Sequence, residues 1–399
     1  MAAKIVLFLQ CMIIGQIVFS QSINQQVRSP YYPVDTFPVI YEMMGMVDTS
    51  MVVANIQHMQ DYGTRNATKP QAIQAQNWIK GHFENYGLSV EIQDFPMGGN
   101  SSSDNVLGTW TGKVTPDEFV IIGGHYDSYA WGNQEPGADD NASGTAGVME
   151  VARILSQFEF ERSIVFCAFS GEEYGMYGSE AYAARAEQDQ MNILGYVNLD
   201  MISYNYPGDM IHTDMIAPPS AKELSDYYKA VSAIYLPDFM IYDAMYIPGG
   251  SDHVSFNNHG YMGIFPCEED QNYSPFIHTA NDLIGPSVNS LAKAEKFIQA
   301  ALATVVSLAV PYDPVGQPEI TGITDPIRLY PNPANDKVFV ESVIQGPALL
   351  TVYTITGQKV MSNSVSGNYL LDVSGLKAGS YIVNITGKDF TSNKKLLVR

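Results

Sequence analysis

Four short runs of the chain, residues 119–123, 163–169, 193–199 and 261–266, are apolar almost throughout, and segments of helical periodicity lie between or after them. Side chains of a strand alternate between two faces, so a strand apolar at nearly every position must be covered on both. The pattern therefore predicts an α/β fold, a mostly parallel central sheet with helices on both faces. The covering helices are expected at 145–157, 180–188, 221–234 and 287–309. Residues 47–86 read as two further helices, broken near Gly63 and capped again at Thr68-Lys-Pro70. Residues 88–95 alternate like a strand, and 98–104 read as a polar loop.

The pattern changes after Pro311. Residues 312–324 carry turn signals without periodicity and read as a linker. Beyond it, short alternating runs separated by Gly346-Pro, Thr356-Gly, Ser366-Gly and Ala378-Gly predict a small all-β sandwich over residues 325–399. Charge marks the same boundary. The whole chain is −21, yet residues 325–399 hold eight Lys or Arg against five Asp or Glu, about +3. An acidity of that size argues against nucleic acid as a partner. At the other end, Lys4, the apolar residues 5–19 and the small-residue site at Val18-Phe-Ser20 read as a signal peptide over residues 1–20. Its apolar run is short for a membrane span and is interrupted by Gln10, Gly15 and Gln16, so export without a retained transmembrane anchor is expected. The expected domains are thus 1–20, a large α/β domain over 21–311, the linker and the sandwich. Two cysteines remain after cleavage. Cys167 and Cys267 both lie in or beside core strands and read as buried thiols, with a disulfide as the other reading open to an exported protein.

Each expected strand of the first domain ends in groups able to bind a metal. The first ends at His125, with Asp127 two residues later and Pro136-Gly-Ala-Asp139-Asp140 beyond. The second ends in Ser170-Gly-Glu172-Glu173, the third in Asn198-Leu-Asp200, and the fourth leads through a loop to Ile277-His278-Thr. Taken singly, each has an ordinary reading. Asp139 and Asp140 suit a helix N-cap, Glu172 and Glu173 a solvated turn, and a lone His at a strand end is usually packed or hydrogen-bonded. Taken together they sit where open α/β sheets bind ligands, at the carboxyl ends of the strands. A set of imidazole and carboxylate donors in that position suits catalytic zinc.

The segments Gly123-Gly-His125-Tyr-Asp127, Gly137-Ala-Asp139-Asp140-Asn-Ala-Ser-Gly, Ser170-Gly-Glu172-Glu173-Tyr-Gly, Asn198-Leu-Asp200-Met, Ser251-Asp-His253 and Ile277-His278-Thr resemble the co-catalytic zinc aminopeptidases, the family of the secreted Vibrio leucyl and Streptomyces aminopeptidases. The resemblance runs from about residue 57 to 309 with the motifs in the family order. It implies two zinc ions per chain, one held by His125 and Asp200, the other by Glu173 and His278, with Asp140 bridging them. Asp127 would orient His125 from behind, Glu172 would be the general base, and His253 would be structural. Met201, Phe265, Cys267, Tyr273 and Ile277 would border the first side-chain pocket, with Tyr246 beside them, for substrates that carry a medium apolar N-terminal residue. The implied activity is hydrolysis of the N-terminal peptide bond of peptides with a free N-terminus, by a monomer, with water activated between the zinc ions. A one-zinc glutaminyl cyclase, a carboxypeptidase and a non-catalytic domain of the same fold are the alternatives.

The last 75 or so residues resemble something else. Leu329-Tyr-Pro-Asn-Pro, Thr356-Gly-Gln-Lys-Val and Leu376-Lys-Ala-Gly-Ser-Tyr look like a type IX secretion sorting domain. That resemblance implies passage through the periplasm of a Gram-negative bacterium, engagement of the type IX machinery, and a secreted or cell-surface destination.

Overall fold

The computed structural model describes residues 34–399 except 100, 131, 133, 245–249, 313–326, 343–345, 355–357 and 388–390. The expected signal peptide and Tyr246 lie outside the described residues, as does the expected linker from residue 313 onward. The chain divides into two compact units, the first ending at Asp313 and the second beginning at Pro314. Among the described residues, no helix is long and apolar enough to cross a membrane.

In the first unit, helices α1 (Val39–Met44), α2 (Thr49–Asp61) and α3 (Pro70–Asn85) precede a hairpin of β1 (Ser89–Gly98) and β2 (Ser101–Trp110). Strand β3 (Thr115–His125) leads through a kinked turn at Ala138–Ser143 into α4 (Gly144–Leu155). Then come β4 (Arg162–Phe169), α5 (Tyr177–Gln188), β5 (Asn192–Asn198), β6 (His212–Ile216), α6 (Lys222–Tyr235), β7 (Met240–Asp243), α7 (His253–Asn258), β8 (Gly263–Cys267) and α8 (Leu291–Ala309). Local chemistry sets the ends. The Asp48 carboxylate accepts from Ser50 N–H and Met51 N–H at the start of α2, and Pro70 opens α3 where a missing N–H costs nothing. The Ser290 hydroxyl caps α8 at Lys293 N–H.

Eight strands form one sheet in the order β1-β2-β4-β3-β5-β8-β6-β7. Its centre is parallel, β4 with β3, β3 with β5 and β5 with β8, and β6 pairs with β7 in the same sense. The pairings β1 with β2, β2 with β4 and β6 with β8 are antiparallel, so the whole sheet is mixed around a parallel core. The alternation of apolar side chains explains why both faces are covered. Val120 and Ile122 face a large cluster built with α1 to α4, α6 and α8, while Ile121, Val165, Cys167 and Phe169 face a smaller one containing Tyr182 of α5 and Phe256 of α7. Cys167 and Cys267 are both buried and unbridged. Burial raises both thiols, which therefore stay protonated and behave as small apolar groups.

One expectation needs correcting. Residues 101–104, read as part of a loop, are the first residues of β2, paired with β1 through Asp94 opposite Asp104 and Phe95 opposite Ser103. Their polarity suits a strand near the sheet edge, where only one face is well covered.

The second unit holds β9 (Ile327–Tyr330), β10 (Lys337–Ser342), β11 (Pro347–Thr354), β12 (Lys359–Ser366), β13 (Tyr369–Asp372), β14 (Gly379–Thr386) and β15 (Thr391–Val398). They form two antiparallel sheets, β13-β10-β9 and β12-β11-β14-β15, that share one buried cluster including Val338, Val340, Leu350, Val352, Val383 and Leu396.

Candidate active site

Strand β3 connects onward to β4 on one side while its other neighbour, β5, connects onward to β6 on the opposite side, so the two connections diverge and open a crevice at the carboxyl ends of β3 and β5. His125 is the last residue of β3. Glu172 and Glu173 follow β4 by three and four residues, Asp200 follows β5 by two, and His278 lies in the loop after β8. Asp140 sits at the kink of the turn after β3, in a non-helical conformation with φ −103° and ψ 91°. The sheet therefore gathers all six groups at one place.

They form two overlapping sets. Donor atoms of His125, Asp140 and Asp200 lie within 4.8 Å of one another, and so do those of Asp140, Glu173 and His278. Asp140 reaches both with different oxygens: Oδ1 is 3.4 Å from His125 Nε2 and Oδ2 is 3.2 Å from His278 Nε2. His125 Nε2 is also 3.4 Å from Asp200 Oδ1, and His278 Nε2 is 2.9 Å from Glu173 Oε2. The sets differ in exposure. His125 is 1% exposed on its side chain, whereas His278 is 37% exposed and faces the opening.

The donor chemistry fits a pair of divalent cations. Among the described residues, His125 Nε2, Asp200 Oδ1 and Glu173 Oε1 are buried without a hydrogen-bond partner, a cost that a ligand on those atoms would offset. Nitrogen and carboxylate oxygen in sets of three suit zinc with a position left open. The electrostatics point the same way. Burial, then the neighbouring Asp140, pushes the Glu173 carboxyl up to about 8, while hydrogen bonds to Asp140 and Glu173 hold His278 up at about 10. The centre thus gathers more negative charge than its own imidazoles neutralise, and a bound cation supplies the balance.

The surroundings aim these groups. Ser251 Oγ donates to Asp200 Oδ2 at 2.6 Å, which leaves Oδ1 directed at His125. Ser251 is held in turn by Asn198 Nδ2 at 2.7 Å, and Asn198 by the Tyr196 hydroxyl at 2.7 Å. Asp127, fully buried, lies behind His125. Its backbone oxygen is 3.2 Å and its Oδ1 3.5 Å from Nδ1, and Oδ1 also accepts Glu172 N–H at 3.2 Å. Asp127 thus contacts both the imidazole and the Glu172 turn. Asp139 points away from the centre and accepts Ser203 N–H at 3.0 Å. Asp282 accepts the N–H groups of Asp139 and Asp140 at 2.9 and 3.0 Å, and so fixes the turn that carries Asp140. His253 is buried near Phe265 and belongs to neither set. Burial lowers its imidazole to about 4, so it stays neutral.

The backbone is tightly constrained here. A Cβ on Gly124 would lie 2.3 Å from the Leu199 carbonyl oxygen, and one on Gly144 would lie 2.1 Å from the same atom. Asn141 Nδ2 donates to that oxygen at 2.9 Å. Two glycines thus let the ends of β3 and β5 and the start of α4 close on one carbonyl, next to Asp200. Met201 and His278, at φ 52° and 56°, hold left-handed conformations that non-glycine residues seldom adopt.

A cavity of about 510 Å³ opens over the centre. One wall is acidic: Asp140, Glu172, Glu173 and Asp200. Glu172 Oε2 is 4.0 Å from His125 Nε2, and burial raises its carboxyl well above the usual range. The other wall is apolar. It includes Met201, Phe265, Cys267, Tyr273 and Ile277, each expected there, together with Ile216 of β6 and Met176, which were not. Ile216 escaped the sequence reading because β6 is short and partly polar. Its pairing opposite Phe265 is what brings it to the cavity. Asn198 and Ser251 lie inside motifs already singled out and Asp282 lies four residues beyond His278, but their hydrogen bonds carry no sequence signal.

Residues 105–302 match the model of peptidase family M28, and residues 328–399 match that of a secretion system C-terminal sorting domain. A probable zinc metalloprotease from Pyrenophora tritici-repentis is 28% identical over 300 residues, 61% of this chain and 61% of that protein. The chain therefore spans about three fifths of that curated relative's length. The LapA aminopeptidase of Legionella pneumophila has a similar structure, with TM-score 0.62, 24% identity, and coverage of 70% of this chain and 76% of that one. A glutaminyl cyclase from Fimbriiglobus ruber also shares the fold, with TM-score 0.54, 21% identity, and coverage of 69% of this chain and 97% of that one.

Proposed function

From a chain that belongs to peptidase family M28 through residues 105–302 and ends in a type IX secretion sorting domain, we propose an exported two-zinc aminopeptidase. The observation that carries this reading is the double donor set bridged by Asp140. His125 and Asp200 would hold one zinc, Glu173 and His278 the other, with Asp140 between them. When bound, the pair supplies carbonyl polarisation and a water of lowered pKa. The chain's own residues do the rest. Glu172, on the cavity wall, takes a proton from the attacking water and passes it to the leaving amine. Asp127 holds His125 and the Glu172 turn in one frame. The apolar wall receives the first side chain, and a medium apolar N-terminal residue suits it. Binding of the free α-amino group by a nearby carboxylate of the cavity would favour the N-terminus over the C-terminus.

A glutaminyl cyclase of similar fold exists, but a second complete donor set around Glu173 and His278 favours the two-ion reading. Metal analysis of the purified chain is expected to give about two zinc ions per chain; a value firmly at one would turn the assignment toward the cyclase. Aminoacyl anilides with apolar residues should be cleaved, and a chelator should stop the reaction. Conversion of N-terminal Gln peptides without anilide cleavage would reject the aminopeptidase.

The sorting domain indicates a secreted or cell-surface protein, handled by the type IX machinery. Truncation after Pro314, at the division between the two compact units, is expected to leave soluble, active enzyme inside the cell and abolish its export. Unchanged export of the truncated chain would remove the sorting role.

A further inference from the structure

Arg65 lies in the break between α2 and α3, ahead of the family match, and its side chain is fully buried. Its guanidinium donates to backbone carbonyls on three separate segments. Nε donates to Tyr126 O at 2.8 Å, Nη1 to Met59 O at 3.1 Å and Pro136 O at 2.6 Å, and Nη2 to Gly137 O at 2.7 Å. Its backbone N–H donates to Ser128 Oγ at 2.9 Å, and that hydroxyl donates to Glu135 O at 2.7 Å. No carboxylate is among the hydrogen-bond partners described for the side chain. Burying a guanidinium is costly unless its charge is answered, and neutral carbonyls satisfy its donors without answering the charge. The answering charges stand a little further off: Asp282, Asp127, Asp140 and Glu173 all act on it electrostatically.

The three segments are the informative part. Tyr126 directly follows His125, and Gly137 precedes Asp140 by three residues, so the fork spans the base of the loop that separates the two. Gly137 has no room to move. A Cβ there would lie 2.9 Å from Arg65 Nη2 and 2.4 Å from Asp140 O, and its φ is 52°. We propose that Arg65 is a positioning residue of the metal centre, fixing the Asp140 turn against the His125 strand end through a fork that spans both. The inference rests on the two-metal reading above. Arg65 touches neither the cavity nor the expected ligands, so its effect reaches the reaction only through the placement of His125 and Asp140.

The test uses the full chain, stripped of metal and titrated with Co²⁺. Arg65→Lys keeps the charge, but a single ammonium cannot span the four carbonyls. It should fold with unchanged circular dichroism, bind Co²⁺ some 10–100-fold more weakly and show a shifted visible absorption band. Its kcat should fall while KM stays within about twofold, because the cavity walls are untouched. Wild-type Co²⁺ affinity and spectrum in Arg65→Lys would overturn the proposal. If that variant does not fold, Ser128→Ala decides. It removes the hydroxyl that buckles the same loop and should weaken Co²⁺ binding by about threefold or more, a milder loss of the same kind; an unchanged titration would overturn the proposal equally. Failure of the wild-type chain to bind Co²⁺ would instead sink the metal reading itself.

Discussion

Replacing Glu172 by Gln is expected to lower kcat by about 10²–10⁴-fold, the usual worth of a positioned general base. That corresponds to roughly 2.7–5.4 kcal/mol of transition-state stabilisation. Gln keeps the size and the hydrogen-bonding edge of Glu but cannot take up the proton. Because Glu172 belongs to neither donor set, the variant should retain its full metal content, and KM should move little. The paired measurement is turnover of an apolar aminoacyl anilide alongside metal analysis of the same sample. Turnover near that of the parent would remove Glu172 as the base. Loss of metal together with activity would make it a ligand instead.

The second large effect is expected on stability. Gly144→Ala places a methyl group 2.1 Å from the Leu199 carbonyl oxygen and 2.3 Å from Asn141 Oδ1. The obstructing oxygen is backbone at the end of a central strand and cannot swing aside as a flexible side chain would. Overpacking of this kind costs about 3 kcal/mol or more, equivalent in a unit of this size to a fall in Tm of roughly 5 °C or more. Thermal unfolding of the metal-free variant and parent isolates the packing effect from any change in metal binding. A melting temperature within about 2 °C of the parent would mean that this part of the site relaxes freely.

The sequence reveals the centre of the fold more clearly than its margins, for a physical reason. β3, β4, β5 and β8 are buried on both faces, so their composition alone marks them as strands. β6 and β7 are short and carry His212, Asp214 and Asp243; their status depends on pairing with each other and with β8 rather than on local pattern. The longer helices are legible through periodicity and caps, as at Pro70, whereas the six-residue α1 and α7 are too short to show a period. In the candidate site, the groups that carry chemistry stand out because His, Asp and Glu are unusual at the ends of apolar strands. The supporting groups do not. Arg65 bonds to backbone carbonyls, Asp282 to backbone N–H groups, and Ser251 through a single hydroxyl. Such bonds are set by tertiary approach, and no spacing in the chain announces them.

The two walls of the cavity draw mainly on different parts of the sheet. The acidic wall grows from the ends of β3, β4 and β5, where glycines, a crowded carbonyl and a chain of hydrogen bonds leave little freedom. The apolar wall takes Met176 and Met201 from beyond β4 and β5, but draws Ile216 from β6, Phe265 and Cys267 from β8, and Tyr273 and Ile277 from the loop beyond. On the proposed reading, substrate preference and chemical competence are therefore separately heritable. A lineage can exchange Ile216 or Cys267 and drift toward larger or smaller N-terminal residues without disturbing the donors. The same division offers protein engineers one wall to vary and one to leave alone.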